Sequence, residues 1–240
     1  MEVTIVRPQA PELDRYKASS LRAYNEKLPG RYDSAIAFRI FKPSTMDDFV
    51  LHVLGEGLRD RVILDVGCAT GRLLERLAAA GARKLAGADL APRILDEARR
   101  KLARFDLDLE LKSADAESRL PWPDGTFDVV AATGVIHHFC APGAALGEMQ
   151  RVLRPNGVLV IVDACFFSPL REFFNLCLRV HPHEGDCRFR ARKQLRQLLV
   201  SCGWEVNRCE RINWWAFGAV ARRIEEGLSS NPGPKRLKRL

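Results

Sequence analysis

Three carboxylates, two glycines and a pair of histidines carry most of the chemistry open to this chain. Asp65, Gly67 and Gly71 fall within the run VILDVGCATG from Val62 to Gly71, Asp89 follows about 20 residues after that turn, and Asp115 comes after a further strand-like run. Glycines at such a turn remove side chains where a ligand must approach the backbone. The N–H groups of a loop that opens a helix can bind the ligand's polar groups. An acid at the end of the next strand can accept hydrogen bonds from both hydroxyls of a ribose. These residue types describe a site for a nucleotide-like ligand. The glycine spacing argues against NAD and FAD: G-x-G-x-x-G is required, whereas the order here is Gly67, Cys68, Ala69, Thr70, Gly71. His137 and His138 close the block Leu120 to Phe139, and an imidazole with an ordinary pKa of about 6.5 can move a proton near neutral pH.

The elements that must hold these residues are legible from pattern. Val62 to Val66 is apolar and largely β-branched, as a buried strand is, and Arg72 to Ala80 (RLLERLAAA) continues in helix-favouring residues. Lys84 to Leu90 is a second short strand ending in Asp89; Pro92 opens a helix; Leu107 to Ala116 holds a third strand. Pro and Gly punctuate LPWPDGT before a fourth strand that starts at Phe127 and Asp128. An amphipathic helix follows from Ala144, then the turn Arg154, Pro155, Asn156, Gly157 and a fifth strand, with Asn156 suited to a left-handed conformation.

The sequence D-x-G-x-x-x-G after an apolar strand resembles the first motif of the class I S-adenosylmethionine-dependent methyltransferases. The block P-x-x-D-x-x-F-D-x-V followed by paired histidines is similar to a later block of small-molecule members of that family, of the methyltransferase domain 11 type. The blocks run in order from about Arg61 to Asp163. Ala69 stands where the family usually has a third glycine. The resemblance implies an α/β fold: a doubly wound, mostly parallel seven-stranded sheet with helices on both faces and an N-terminal helical cap. It implies S-adenosyl-L-methionine as cofactor, with S-adenosyl-L-homocysteine as product. The cofactor-binding residues would be Asp65, Gly67, Cys68, Ala69, Gly71, Asp89, Leu90, Asp115, Ala116 and Thr133. Asp89 would take the ribose, Asp115 the adenine amine, and the Ala116 backbone N–H the ring. His138, with His137 beside it, either shapes the donor pocket or serves as a base.

Composition describes a globular enzyme. The chain has 240 residues, of which 47% are hydrophobic, enough for one α/β domain with an added cap. We expect a helical cap over 1–55, the donor-binding domain over 56–228 and a basic tail over 229–240. No apolar stretch reaches membrane-spanning length and the N-terminus lacks a signal-peptide pattern, so a cytoplasmic protein with no membrane partner is expected. The seven cysteines, without a C-x-x-C pair, read as reduced and mostly buried, and no metal site is expected. The net charge of +8 is spread over the 99–104 region, the 188–196 region and the tail PKRLKRL rather than gathered into one patch. The aromatic N/D-P-P-F/Y motif of adenine-amine methylation is missing, since Ala132 to Ile136 stand there. A small-molecule acceptor is therefore expected, with tRNA or rRNA methylation and a non-catalytic donor-binding protein as the alternatives, and with the oligomeric state left open.

The flanks are less informative. Tyr24 and Tyr32 lie in a polar cap segment, YNEKLPGRYD, and could face donor or substrate or simply pack the cap on the core. Cys165 to His183 is apolar and aromatic enough to wall a pocket or to form a core helix, and His181 or His183 there could serve as a base. Phe189 to Val206 reads as a helix broken by Gly203, with Trp204 opening a strand.

Overall fold

The computed structural model describes residues 10–27, 44–180 and 186–223. Tyr32, His181, His183 and the basic tail lie outside them. Seven strands form one sheet in the order β3-β2-β1-β4-β5-β7-β6. They are β1 (Val62–Val66), β2 (Lys84–Asp89), β3 (Asp108–Ser113), β4 (Phe127–Thr133), β5 (Leu153–Ala164), β6 (Trp204–Arg211) and β7 (Ala216–Arg223). The first five are parallel to one another, and β7 lies antiparallel between β5 and β6. This is the doubly wound sheet that the sequence predicts.

Strand alternation divides the core between the two faces. Leu64, Val130, Ala132, Leu159 and Ile161 face one layer, with Leu146 and Met149 of α5 (Pro142–Val152) and Leu195 and Leu199 of α7 (Arg192–Ser201). Ile63, Val129, Ala131, Val160 and Val162 face the other. There they meet Met46, Phe49 and Val50 of α2 (Ser44–Leu54), Leu73, Leu74 and Leu77 of α3 (Arg72–Ala79), and Leu95 and Leu102 of α4 (Pro92–Leu102). Although the sequence groups α2 with the cap, its apolar side is part of this second core. Only α1 (Ala10–Arg22) and the π-turn Ala23–Lys27 behind it lie, among the described cap residues, against the carboxyl ends of the strands. Order reverses between β1 and β4, so a crevice opens where their loops part to opposite faces.

Two sequence expectations need correction. The turn at Arg154 to Gly157 lies inside β5: Phe127 pairs with Leu153 and Val129 with Val158, so the extra residues bulge, with Asn156 at φ 63° as its residue type allows. The cysteines are neither all reduced nor mostly buried. Cys140 and Cys187 form a disulfide with Cα atoms 5.5 Å apart. Of the other five, Cys68 and Cys165 are buried, Cys202 and Cys209 half-buried and Cys177 exposed. Residue count could not reveal the pair, because a tertiary contact makes it: the Cys187 and Arg188 N–H groups both donate to the His137 carbonyl, at 2.9 and 3.0 Å.

Helix α6 (Ser168–Val180) is neither a pocket wall nor a fully buried helix. Leu178 is buried, whereas Phe173 and Leu176 are exposed, and none of its described residues lines the cleft. No helix among the described residues is long and apolar enough to cross a membrane.

Candidate active site

The loop after β1 is shaped by packing and by Asp89. Gly67 and Gly71 adopt φ of +72° and +73°, which L residues rarely take. A Cβ on Gly67 would lie 2.3 Å from the Val135 side chain, and one on Gly71 would lie 3.0 Å from Ala98 of α4. Both glycines thus answer a protein contact, and Gly67 also lines the cleft. Ala69 also has positive φ, 46°, and its N–H donates to Asp89 Oδ2 at 2.9 Å. Asp89 Oδ1 accepts from Ala91 N–H at the start of α4, also at 2.9 Å. Burial raises the Asp89 pKa, opposed by the Ala91, Ala69 and Leu90 N–H groups. One carboxylate therefore ties the two loops that flank the first crossover.

A cleft of about 730 Å³, partly open to solvent, runs from this loop along the strand ends. Of the sequence-predicted residues, Gly67, Ala69, Asp89, Leu90, Asp115, Ala116, Tyr24 and His138 line it. Asp65, Cys68 and Thr133 line a smaller crevice beneath the loop, which Gly67 and Ala69 also reach. Gly71 lies in the α3–α4 contact, and His137 sits behind His138. Cys68 is buried with its sulfur toward Gly87, and burial pushes its thiol pKa well up.

Asp65 is 1% exposed and its Oδ1 finds no hydrogen-bond partner among the described residues. Burial pushes its pKa well up, Asp47 and Asp89 add to the rise, and Arg72 opposes it. Such an oxygen is suited to a cationic ligand group, because a buried carboxylate without a partner is costly. Asp115 Oδ1 caps the next turn through Glu117 N–H at 2.9 Å, while Oδ2 receives Lys17 of α1 at 2.5 Å. Lys17 also lies 3.6 Å from Glu117, whose buried carboxylate accepts from Ala141 N–H. Burial lowers the Lys17 pKa but the two acids outweigh it, so the net shift is upward. The sequence gives no signal for this strap, since Lys17 is one cation among many in a polar helix.

The histidine side of the cleft and its support are built from four separated segments. Tyr24 Oη lies 3.4 Å from His138 Nε2, and His138 Nδ1 lies 3.1 Å from Asp186 Oδ1. His137 Nδ1 lies 2.5 Å from Asp163 at the end of β5, and its ring stacks on Phe189 at 4.9 Å. Burial lowers the His137 pKa, but Asp163 and then Asp186 overcome it and carry it up to about 9. Asp163, Asp186 and Phe189 escape sequence reading because nothing in their local pattern marks a site.

Residues 64–161 match a family model described as a methyltransferase domain. Over that span the chain is similar to S-adenosylmethionine-dependent methyltransferases. It is 41% identical over 121 residues to a demethylmenaquinone methyltransferase of Thermus thermophilus, a match covering 50% of this chain and 53% of that protein. It is 37% identical over 106 residues to a tRNA U34 carboxymethyltransferase of Cellvibrio japonicus, covering 43% of this chain and 33% of that one. The chain thus matches about half the length, or less, of these curated relatives. Among solved structures, geranyl diphosphate C-methyltransferase from Streptomyces coelicolor, in a complex that includes S-adenosyl-L-homocysteine, superposes with a TM-score of 0.70 at 12% identity. That match covers 90% of this chain and all of the other. At that identity the likeness is one of fold. The cleft fits S-adenosyl-L-methionine on its own observations: an orphaned buried carboxylate in the crevice, and acids at the end of β2 and after β3.

Proposed function

We propose that the protein transfers a methyl group from S-adenosyl-L-methionine to a small-molecule acceptor, in the cytoplasm and without a membrane or nucleic-acid partner. The observation that carries this reading is the cleft that brings together the glycine loop, Asp89 and Asp115–Ala116 with Tyr24, His138 and Phe139. Asp65 would hold the donor's ammonium group, Asp89 its ribose hydroxyls, and Asp115 with the Ala116 N–H its adenine. When bound, the donor supplies a methyl already activated by the sulfonium. The residues of the chain therefore have to align the acceptor atom with it and exclude water. The cap does the excluding: Tyr16, Lys17, Ser20 and Tyr24 close one side, and the Lys17–Asp115 pair holds α1 down. The demethylmenaquinone relative supports an acceptor of metabolite size.

The tRNA carboxymethyltransferase relative keeps RNA as a second reading. Calorimetric titration with S-adenosyl-L-homocysteine comes first, then an assay of its release from S-adenosyl-L-methionine over a panel of hydroxylated aromatic and isoprenoid metabolites. Turnover with a metabolite is expected. A folded protein that binds neither donor nor product would overturn the reading. If tRNA were the substrate, its affinity would fall by roughly a thousandfold or more between 50 and 200 mM salt; such a slope together with methylated tRNA would put RNA first.

A further inference from the structure

Two imidazoles and one carboxylate converge beside the cleft in an arrangement that donor binding leaves unexplained. His137 Nε2 and His138 Nδ1 both face Asp186 Oδ1, at 3.6 and 3.1 Å, and the three atoms lie within 4.8 Å of one another. The remote nitrogen of each ring is engaged from behind. His137 Nδ1 contacts Asp163, itself fixed by the Ala164 N–H at 2.9 Å, and His138 Nε2 contacts the Tyr24 hydroxyl. A metal ion entering between them would displace any proton on the near nitrogens while each remote nitrogen keeps its own, so both near nitrogens can offer lone pairs. This outer support is what metal-binding histidines require, because it fixes the tautomer and the ring orientation. The frame is rigid: two N–H groups on the His137 carbonyl and the Cys140–Cys187 disulfide tie the segment bearing Asp186 to the histidine turn.

We propose that His137, His138 and Asp186 bind one divalent transition-metal ion. Two nitrogens and one carboxylate oxygen suit the Fe(II)-to-Zn(II) end of the series, whereas Mg²⁺ and Ca²⁺ favour all-oxygen sites. Arg190, whose guanidinium donates to the Ile136 carbonyl at 3.1 Å, is the nearby cation acting on His137, and Asp163 and Asp186 offset it. Three protein ligands leave coordination positions open. His138 and Tyr24 line the cleft, so an open position on that side would accept an oxygen of the acceptor and orient it. This last role rests on the methyl-transfer reading; ion binding itself does not.

The test is to strip the protein with chelator, titrate Co²⁺ and follow the visible d–d absorption, with S-adenosyl-L-homocysteine calorimetry on the same preparations. The wild type should bind one equivalent, without the intense thiolate-to-cobalt charge transfer that cysteine ligation would give. His137→Gln and Asp186→Asn should each bind at least about 100-fold more weakly, and Asp163→Asn about 10- to 100-fold more weakly. Donor-product affinity should be kept in Asp186→Asn. No bands at millimolar Co²⁺, or wild-type bands in both His137→Gln and Asp186→Asn, would overturn the site; if one variant fails to fold, the other decides. Cobalt binding without product binding would instead sink the methyl-donor reading and leave the metal site standing.

Discussion

Two sets of residues at the cleft are held in different ways. In the first, the glycine loop, Asp89 and Asp115 follow one another along β1, β2 and β3, and Asp89 and Asp115 accept from N–H groups close in sequence or in the loop after the neighbouring strand, with Lys17 added on Asp115. In the second, Tyr24, His138, Asp163 and Asp186 come from the π-turn after α1, the β4–α5 loop, β5 and the segment before α7, and they meet through side chains, Asp163 by way of His137. A site made of consecutive strand ends is a local property of the sheet. A site made across segments depends on every element that brings those segments together.

That contrast can be broken most sharply at Gly67. Gly67→Val should abolish measurable donor binding and cost about 3 kcal/mol or more of stability, because a β-branched residue at positive φ is strained and its side chain would overlap Val135. Product calorimetry and urea denaturation would show it, and a variant of near-wild-type stability would mean the loop is less constrained than its geometry implies.

Asp47, beneath the same loop, offers a pH measure. Burial raises its pKa from 3.8 to about 6, opposed by Arg72 and Arg76. The folded state therefore holds a proton that the unfolded chain releases between those values. This group's contribution is greatest below pH 3.8, falls as pH rises towards 6, and is flat above, by up to about 3 kcal/mol in all. Subtracting denaturation curves of Asp47→Asn from those of the wild type at pH 4 to 7 should isolate that slope; parallel curves would show that the arginines keep Asp47 ionised throughout.

Asp89→Ala should weaken S-adenosyl-L-methionine binding by about 1.5 to 3 kcal/mol, the range for hydrogen bonds to a charged group. An unchanged dissociation constant in a folded variant would restrict Asp89 to organising the loop. The smallest change runs the other way. Ala69→Gly should stabilise the protein by about 1 kcal/mol, since Ala69 sits at φ 46° and a glycine there relieves the left-handed strain. A lower melting temperature would show that the methyl group's packing outweighs it.

The difference between the two sets also explains what reading the sequence could reach. Strand alternation, the turn at Gly67 and the acid of Asp89 are written in residues near one another, and the sheet order follows from them with the rules of doubly wound folds. Lys17 on Asp115, the disulfide and Asp186 on His138 join residues 98, 47 and 48 positions apart, respectively, and no periodicity links them.

The sequence by itself determined the first five strands and the glycine loop with the acids that follow it, because backbone conformation and burial of alternate side chains act over a few residues; the seven-stranded sheet came from the family resemblance. The tertiary structure alone decided that Gly67 packs on Val135 and Gly71 on Ala98, that Cys140 and Cys187 pair, and that His137, His138 and Asp186 converge. Side-chain convergence is fixed only once helices and loops are docked on the sheet, and that depends on the whole folded core rather than on any local run of residues.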